Sequence, residues 1–505
     1  MSDSRSSGEK FVLAIDIGSS SVRAMVYDQQ GLAVDGLAAQ LALELETTAD
    51  GGVTLDADVL LQLVEACIDA VSGALEFRLP IDAVGISSFW HSLIGLDDSG
   101  KAVTPIYHLA DSRSADVVDE MRKMHDQEIW KAISGTLFHS SYWPAKLIWV
   151  RRTAPAVFER VARWTSGADY VLRKLTGADV SSICMASGTG MLDISRCEWS
   201  SDFAALAGVT LASLPPLVDR HEHFHLGEGY AERWPSLSNV PWFAPLGDGA
   251  CANLGCGAVE PDRLALTLGT TGAVRVLVKS PAGEFVHPVD GLWAYRLDRQ
   301  TVIRGAAITN GGIWGDFLLE MFGVDESMYD TAFELPPAEH GLTILPFLAG
   351  ERAPIWNDRA RAVIAGLHPE TTPLDIMRAG LEAVGHRMRL IYDLMAPVVS
   401  AEHVIVANGA ALLRSRGWQQ ILASDLDHAI VILPVDLEAS ARGAAMSALQ
   451  GVGAISDFTD VQDLSEGATV VFPVPEEAAR YDHERARQER LRSRLYPAGS
   501  SWDSD

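Results

Sequence analysis

Cysteine is scarce and never clustered: the five present (Cys67, Cys184, Cys197, Cys251, Cys256) form no C-x-x-C pair. An odd, sparse set of this kind fits reduced thiols and a cytoplasmic setting. Long apolar runs are missing as well. No stretch reaches the roughly eighteen residues of a membrane span, and the polar, serine-rich start Met1–Lys10 lacks the apolar segment of a signal peptide. Positive charge is in deficit, with 40 Lys and Arg against 67 Asp and Glu and a formal charge of −27. Nucleic acid and anionic membranes need a basic face, so both are excluded as partners. A phosphate ligand held by a few local donors is not. Three motifs are absent too: G-x-x-x-x-G-K-[ST], G-x-G-x-x-G after a strand, and G-x-S-x-G. Their absence excludes a P-loop enzyme, a dinucleotide fold and a serine-hydrolase elbow.

What is present is a chain of 505 residues, 48% hydrophobic and 21% charged, long enough for two or more cores. Its most informative stretch lies at the midpoint. Trp242, Phe243, Ala244 and Leu246 lead into Gly247-Asp248-Gly249, and a run of small residues through Gly257 follows. Glycine on both sides lets the backbone turn sharply and leaves the Asp248 carboxylate uncrowded. An open carboxylate at a strand-to-helix corner suits a general base; an Asp capping the following helix is the alternative.

Two loops of one plan flank that corner. Phe11–Gly18 reads as a buried strand, Gly18-Ser19-Ser20-Ser21 as a hydroxyl-rich turn, and Val22–Asp28 as the returning strand, with Arg23 on it. Backbone amides and short hydroxyls in one turn can wrap an anion. Asp16, ending the strand beside that turn, is placed to hold a hydrated Mg²⁺; a plain hairpin turn is the other reading. Leu264–Arg275 repeats the plan: strand, Gly269-Thr270-Thr271-Gly272 turn, strand, Arg. A weak internal repeat of this kind predicts two similarly built domains, each giving one phosphate-gripping turn to a shared cleft.

The remaining pieces fall in order. A helix is expected over Leu55–Leu75 and a strand over Ile81–Ser88. That strand leads to Phe89-Trp90-His91-Ser92, and Asp111 and Arg113 follow in a loop. An aromatic wall with bidentate hydrogen-bonders is what a polyhydroxylated ligand needs. A packing histidine and a local Asp111–Arg113 salt bridge explain the same residues. Lys146, near the start of a helix opened by Pro144, reads as a solvated lysine. Ala186–Gly190 reads as a loop, and the His221, His223, His225 run as zinc-like in alternation but unsupported by a ligand motif. Leu342–Leu348 reads as a strand, Thr372–Pro397 as the strongest amphipathic helix, and Glu438–Leu449 as a small-residue helix. Glu476–Leu495 reads as a solvated charged helix, and Ala498–Asp505 as a frayed end.

Four motifs in order now resemble one family. They are Asp16-x-Gly18-Ser-Ser-Ser-x-Arg23, Gly247-Asp248-Gly249, Leu268-Gly269-Thr270-Thr271-Gly272 and Asn408-Gly409-Ala410. Together, over roughly residues 10–480, they look like the FGGY carbohydrate kinases. The resemblance implies an α/β fold of two actin-like, ribonuclease-H-like domains: residues 10–257 carrying sugar binding, the first turn and the base, and 258–485 binding nucleotide. Residues 486–505 would form a helix end and flexible tail. It implies transfer of the ATP γ-phosphate to a sugar or polyol hydroxyl, with Asp248 as base and Asp16 as the acid beside Mg²⁺. Substrate would lie against Trp90, His91, Asp111, Arg113 and Asp248. ATP would lie on Ser19, Ser20, Ser21, Arg23, Gly269 and Thr270, with Gly311 and Gly312 near ribose and adenine and Gly409 and Ala410 at the adenosine turn. The family usually has a second glycine where Ala410 stands. His91–Gly95, Ser141–Lys146 and Gly350–Trp356 most resemble the gluconate kinases, which often carry Met where Trp90 stands. Gluconate is thus the expected substrate, a xylulose-type ketose or a polyol the alternative, and a non-catalytic sugar sensor the reading from another class. A homodimer is compatible with the sequence.

Overall fold

The computed structural model describes residues 8–75, 79–357, 359–434 and 437–497. The first sheet contains β1 (Val12–Ile17), β2 (Ser21–Tyr27), β3 (Ala33–Ala42), β4 (Ala83–Ser88), β5 (His223–Phe224), β6 (Trp242–Phe243) and β7 (Leu246–Gly247). Its order is β5-β6-β4-β1-β2-β3, with β7 also on β4. Every residue of β1 and of β4 is buried, as expected of central parallel strands covered on both faces. The second sheet contains β8 (Arg263–Leu268), β9 (Gly272–Lys279), β10 (Trp293–Arg296), β11 (Thr301–Ile308), β12 (Val404–Asn408), β13 (Ile430–Ile432) and β14 (Thr469–Val471). Its order is β10-β11-β9-β8-β12-β13-β14.

The two sheets share one plan. In the first, β2 is antiparallel and β4 parallel to β1, and β3 is antiparallel to β2. In the second, β9 is antiparallel and β12 parallel to β8, and β11 is antiparallel to β9. The weak repeat in sequence is therefore a repeat in topology.

Helices cover the sheets: α1 (Ala57–Leu75), α2 (Trp143–Thr153), α3 (Asp248–Gly255), α4 (Gly312–Phe322), α5 (Pro373–Asp393), α6 (Ala439–Gly451) and α7 (Pro475–Leu495) are the main ones. α3 and α6 cross at backbone contact: a methyl group added at Gly443 would lie 1.8 Å from the Cys251 carbonyl oxygen. Small residues on both helices allow that approach. α6 also lies on β1 and β4, and its buried Arg442 donates to the carbonyls of Gly31 (2.8 Å), Gly255 (2.6 Å) and Gln462 (2.7 Å). The last helix of the small-residue kind thus ties the two sheets together, and one apolar core runs through Val12, Leu254, Ala445 and Leu266.

Several expectations need correction. Lys146 is 2% exposed rather than solvated, and its Nζ donates to the Ser141 carbonyl at 2.6 Å. Ala186 and Ser187 end a short helix, Ile183–Ser187, instead of lying in a loop. The strand expected over Leu342–Leu348 shortens to Thr343–Leu345. Only His223 of the three histidines is in a strand, and no His, Cys, Asp and Glu group among the described residues is arranged to hold a metal. α7 is not solvated all round: Tyr481, Glu484 and Gln488 are buried, and Gln488 donates to the Ile344 and Ala383 carbonyls. The frayed end expected at Ala498–Asp505 and most of the polar start lie outside the described residues.

Candidate active site

Asp16 and Asp248 leave neighbouring strand ends. Ser87 of β4 is level with Asp16 of β1 on one side and with Leu246 of β7 on the other, and Ser88 is level with Ile17 and Gly247. Strands β1 and β7 thus flank β4, two ladder spacings or roughly 10 Å apart. Asp248 opens α3, and its Oδ1 accepts a hydrogen bond from the Gly249 N–H at 2.7 Å. Burial raises its pKa; the Arg275 guanidinium, that N–H and the charge of Arg352 partly offset the rise. Asp16 is 4% exposed, with Oδ1 unpartnered and Arg23 Nη1 3.5 Å from Oδ2. Burial lifts its pKa to about 6 against the pull of Ser87 and Arg23, with Asp248 adding to the rise.

The corner rests on an indole. Trp90 is 5% exposed and donates through Nε1 to the Cys184 carbonyl at 3.0 Å. A methyl group added at Gly247 would stand 1.9 Å from Trp90 Cε2, so only glycine lets strand and ring approach this closely. Trp90 packs on Tyr295 (centroids 4.9 Å apart), and Tyr295 hydroxyl bonds that of Tyr142 at 2.7 Å. His91, at φ 70°, holds a left-handed conformation and bonds the Gly188 carbonyl through Nδ1, which leaves Nε2 an acceptor. Its ring meets Tyr142 edge-on at 5.1 Å, and burial keeps the imidazole neutral, with its pKa well below the ordinary value. Asp111 and Arg113 form a mutual salt bridge (Nη2 to Oδ2 2.5 Å, Nε to Oδ1 3.1 Å), and the guanidinium lies 4.6 Å over Trp149. The local pairing considered from sequence is what the structure contains.

The first turn is held by a Gly18 N–H to Ser21 carbonyl bond of 2.9 Å, which leaves Ser19 and Ser20 exposed. Ser21 is buried with an unpartnered hydroxyl, and Arg23 bridges Asp16 and Glu438 (Nε to Oε1 3.3 Å). The second turn gathers the other nucleotide candidates. Gly311 and Gly312 donate to the carbonyls of Thr270 (3.0 Å) and Gly269 (2.7 Å) at the start of α4. A methyl group at Gly312 would lie 2.5 Å from Ala411 Cβ, and Gly409, at φ 114°, rests against Leu268. Three segments far apart in sequence thus meet at one backbone surface.

Models of the FGGY family of carbohydrate kinases match both halves of the chain, the N-terminal domain over residues 11–255 and the C-terminal domain over 264–451. This chain belongs to the FGGY carbohydrate kinases. It is 26% identical to a gluconokinase of Bacillus subtilis over 93% of each chain. Two solved structures from Lactobacillus acidophilus, a gluconate kinase and a ligand-bound xylulose kinase, each superpose with a TM-score of 0.88 at 24% identity. They cover 97% of this chain and 99% of theirs. The fold is the two-domain, actin-like architecture of these kinases, and the family makes this chain a phosphotransferase with ATP as donor and a sugar-class acceptor. No helix among its described residues is long and apolar enough to cross a membrane.

Four residues of this FGGY kinase escaped notice as site residues. Arg275 donates to Thr267 Oγ1 (3.3 Å) and faces Asp248; its place in the repeated strand-turn-strand-Arg plan was the available signal. Tyr295 carried no local signal, since its partners Trp90 and Tyr142 are remote in sequence. Arg352 lies within the Gly350–Trp356 motif, which was the signal available for it, whereas Glu438 sits before a helix where nothing local marks it.

Proposed function

We propose that this FGGY kinase transfers the γ-phosphoryl group of ATP to a terminal hydroxyl of gluconate, giving 6-phosphogluconate, in the cytoplasm. The observation that carries the phosphotransfer reading is the corner at Asp248: a half-buried carboxylate of raised basicity at a strand end, one strand from Asp16 and facing Arg275. The likeness to a gluconokinase supports the acceptor.

In this reading the sugar lies against Trp90, His91 and Tyr142, and the reacting hydroxyl donates to an Asp248 oxygen. Its oxygen attacks the γ-phosphorus in line, the bond to the β–γ bridging oxygen breaks, and the proton passes to the Asp248 carboxylate. The amides and hydroxyls of the turns at Ser19–Ser21 and Gly269–Thr270 hold the phosphates, while Gly311, Gly312, Gly409 and Ala410 form the nucleoside wall. Most of the acceleration is positioning and charge stabilisation. The unpartnered Asp16 Oδ1 fits a water-mediated Mg²⁺ contact, and the ion would neutralise phosphate charge. Closure of the two halves would exclude water from the reacting atoms.

A xylulose-type ketose is the second reading, favoured by the equal superposition on a xylulose kinase. ADP release measured across gluconate, xylulose, ribulose and glycerol separates the two; silence with gluconate rejects the first. Asp248→Asn is expected to lower kcat by about 10²–10⁴-fold with ATP still bound. Near-normal turnover by that variant removes Asp248 from the role.

A further inference from the structure

Arg275 lies on β9, just past the second turn, and its guanidinium stands between that turn and the Asp248 corner. Nη1 donates to Thr267 Oγ1 (3.3 Å), two residues before Gly269. On the other side, a methyl group added at Gly249 would stand 3.1 Å from Arg275 Nε. The bare glycine next to Asp248 leaves the guanidinium its place. The Asn253 side-chain amide of α3 donates to the Arg275 carbonyl (3.5 Å), which ties strand to helix. Asp248, Thr267 and Arg275 each keep partial exposure, while the residues on either side of each are buried. As neighbours, the three open on one space.

What Arg275 lacks is a counter-ion. In a chain with 67 acidic residues, other arginines find one: Arg23, its counterpart after the first turn, has Asp16 and Glu438, and Arg113 has Asp111. Arg442, buried without a carboxylate, gives its donors to three carbonyls. The Arg275 guanidinium forms no ion pair among the described residues, and its one hydrogen bond there is to the neutral Thr267 hydroxyl. Desolvating a guanidinium is costly, and the cost is offset when an anion meets its open donors. During phosphotransfer, the anion between a phosphate-holding turn and the base is the phosphoryl group in flight.

We propose that Arg275 is a catalytic residue, donating from its guanidinium to the equatorial oxygens of the transferring phosphoryl group. The proposal rests on the phosphotransfer reading of the Asp248 corner and adds the group that meets the charge in transit. The sugar oxygen bonds to the γ-phosphorus, the bond to the β–γ bridging oxygen breaks, the hydroxyl proton goes to Asp248 and ADP leaves. Arg275 gives up no proton; it holds the phosphoryl oxygens in the plane between entering and leaving oxygens. The first turn offers no equivalent, because Arg23 is already engaged by Asp16 and Glu438.

The test uses the full-length wild type, Arg275→Gln and Arg275→Lys. ADP release is measured against pH on gluconate, xylulose, ribulose and glycerol. ADP binding is measured by calorimetry with the sugar of fastest turnover, with and without aluminium fluoride as a mimic of the phosphoryl in flight. Arg275→Gln is expected to lower kcat by about 10²–10³-fold at every pH, with KM for ATP and for sugar within about twofold. Arg275→Lys, which keeps the charge but not the fork, should recover part of the loss. Aluminium fluoride should tighten ADP binding by wild type about 10²-fold or more, and the glutamine variant should show almost no such tightening. Unchanged affinity of that variant for ADP alone shows that it folds. An arginine acting only through Asp248, whose ionised form it favours, gives a different pattern: the loss fades as pH rises and the acid limb of kcat moves upward. That pattern overturns the proposal, as does a loss of affinity for ADP alone, which makes Arg275 a ground-state contact. Undiminished kcat in Arg275→Gln, with wild type active, rejects Arg275 and leaves the phosphotransfer reading standing. Wild type silent on all four sugars rejects that reading, and this proposal with it.

Discussion

Adding one methyl group at Gly247 is a direct test of the Asp248 corner. On the native backbone that carbon would stand 1.9 Å from Trp90 Cε2, 2.2 Å from Nε1 and 2.4 Å from Cδ2, against ordinary contact beginning near 3.4 Å. Ring or strand must therefore retreat by about 1.5 Å. The ring is hemmed in: its N–H is bound to the Cys184 carbonyl, Tyr295 packs on it, and Gly188 lies against its Cδ1 edge. The strand end moves more easily, and it carries Asp248. Overpacking of this kind costs about 1–3 kcal/mol, and a displacement of about 1 Å at a reacting group costs about 10²-fold in rate. Gly247→Ala is thus expected to lose a few degrees of Tm by calorimetry and about 10²-fold in kcat by coupled ADP release. Substituting Trp90→Phe in the same chain clears the indole atoms in conflict, so the double variant should recover much of both. The cycle should show a coupling of about 1–3 kcal/mol. If Gly247→Ala keeps wild-type kcat and Tm, the indole does not set the position of the carboxylate.

Asp16→Asn should trade activity for stability in a pH-dependent way. The folded-state pKa of about 6 against an ordinary 3.8 means that ionisation is penalised in the native state. The wild type therefore loses stability as pH rises through that window, by up to about 3 kcal/mol. Arg23 keeps Glu438 as a partner in the variant, which should melt higher than wild type near pH 8 and equally near pH 4; an equal offset at both refutes the buried-charge account. Gly312→Ala would place a methyl group 2.8 Å from the Gly269 carbonyl oxygen and 2.5 Å from Ala411 Cβ. It should raise KM for ATP by about tenfold with KM for the sugar unchanged, and the reverse pattern would put the nucleotide elsewhere.

Much of this protein was legible one segment at a time. The apolar run Phe11–Ile15 that leads into Asp16, the hydroxyl turn after it and its copy at Gly269–Gly272 each announce themselves by composition, and the glycines around Asp248 mark a corner before any contact is known. The small residues of α6 foretold close packing, though not that the packing is against α3. Charge was less readable. Lys146 looks solvated because helical position says nothing of what covers it, and α5 buries Arg378, Glu382, His386 and Arg387 under an apolar-looking pattern.

The strands, the two turns and the glycine-flanked corner at Asp248 were thus written locally, because backbone geometry is dictated by residues within a few positions of one another. Which groups meet was not. Tyr142 and Tyr295 bond hydroxyl to hydroxyl across 153 residues, Trp90 fills the space left by Gly247, and Arg122 of one half holds the Trp356 carbonyl of the other. Burial, pairing and pKa depend on neighbours supplied by distant segments, so only the assembled tertiary structure could decide them.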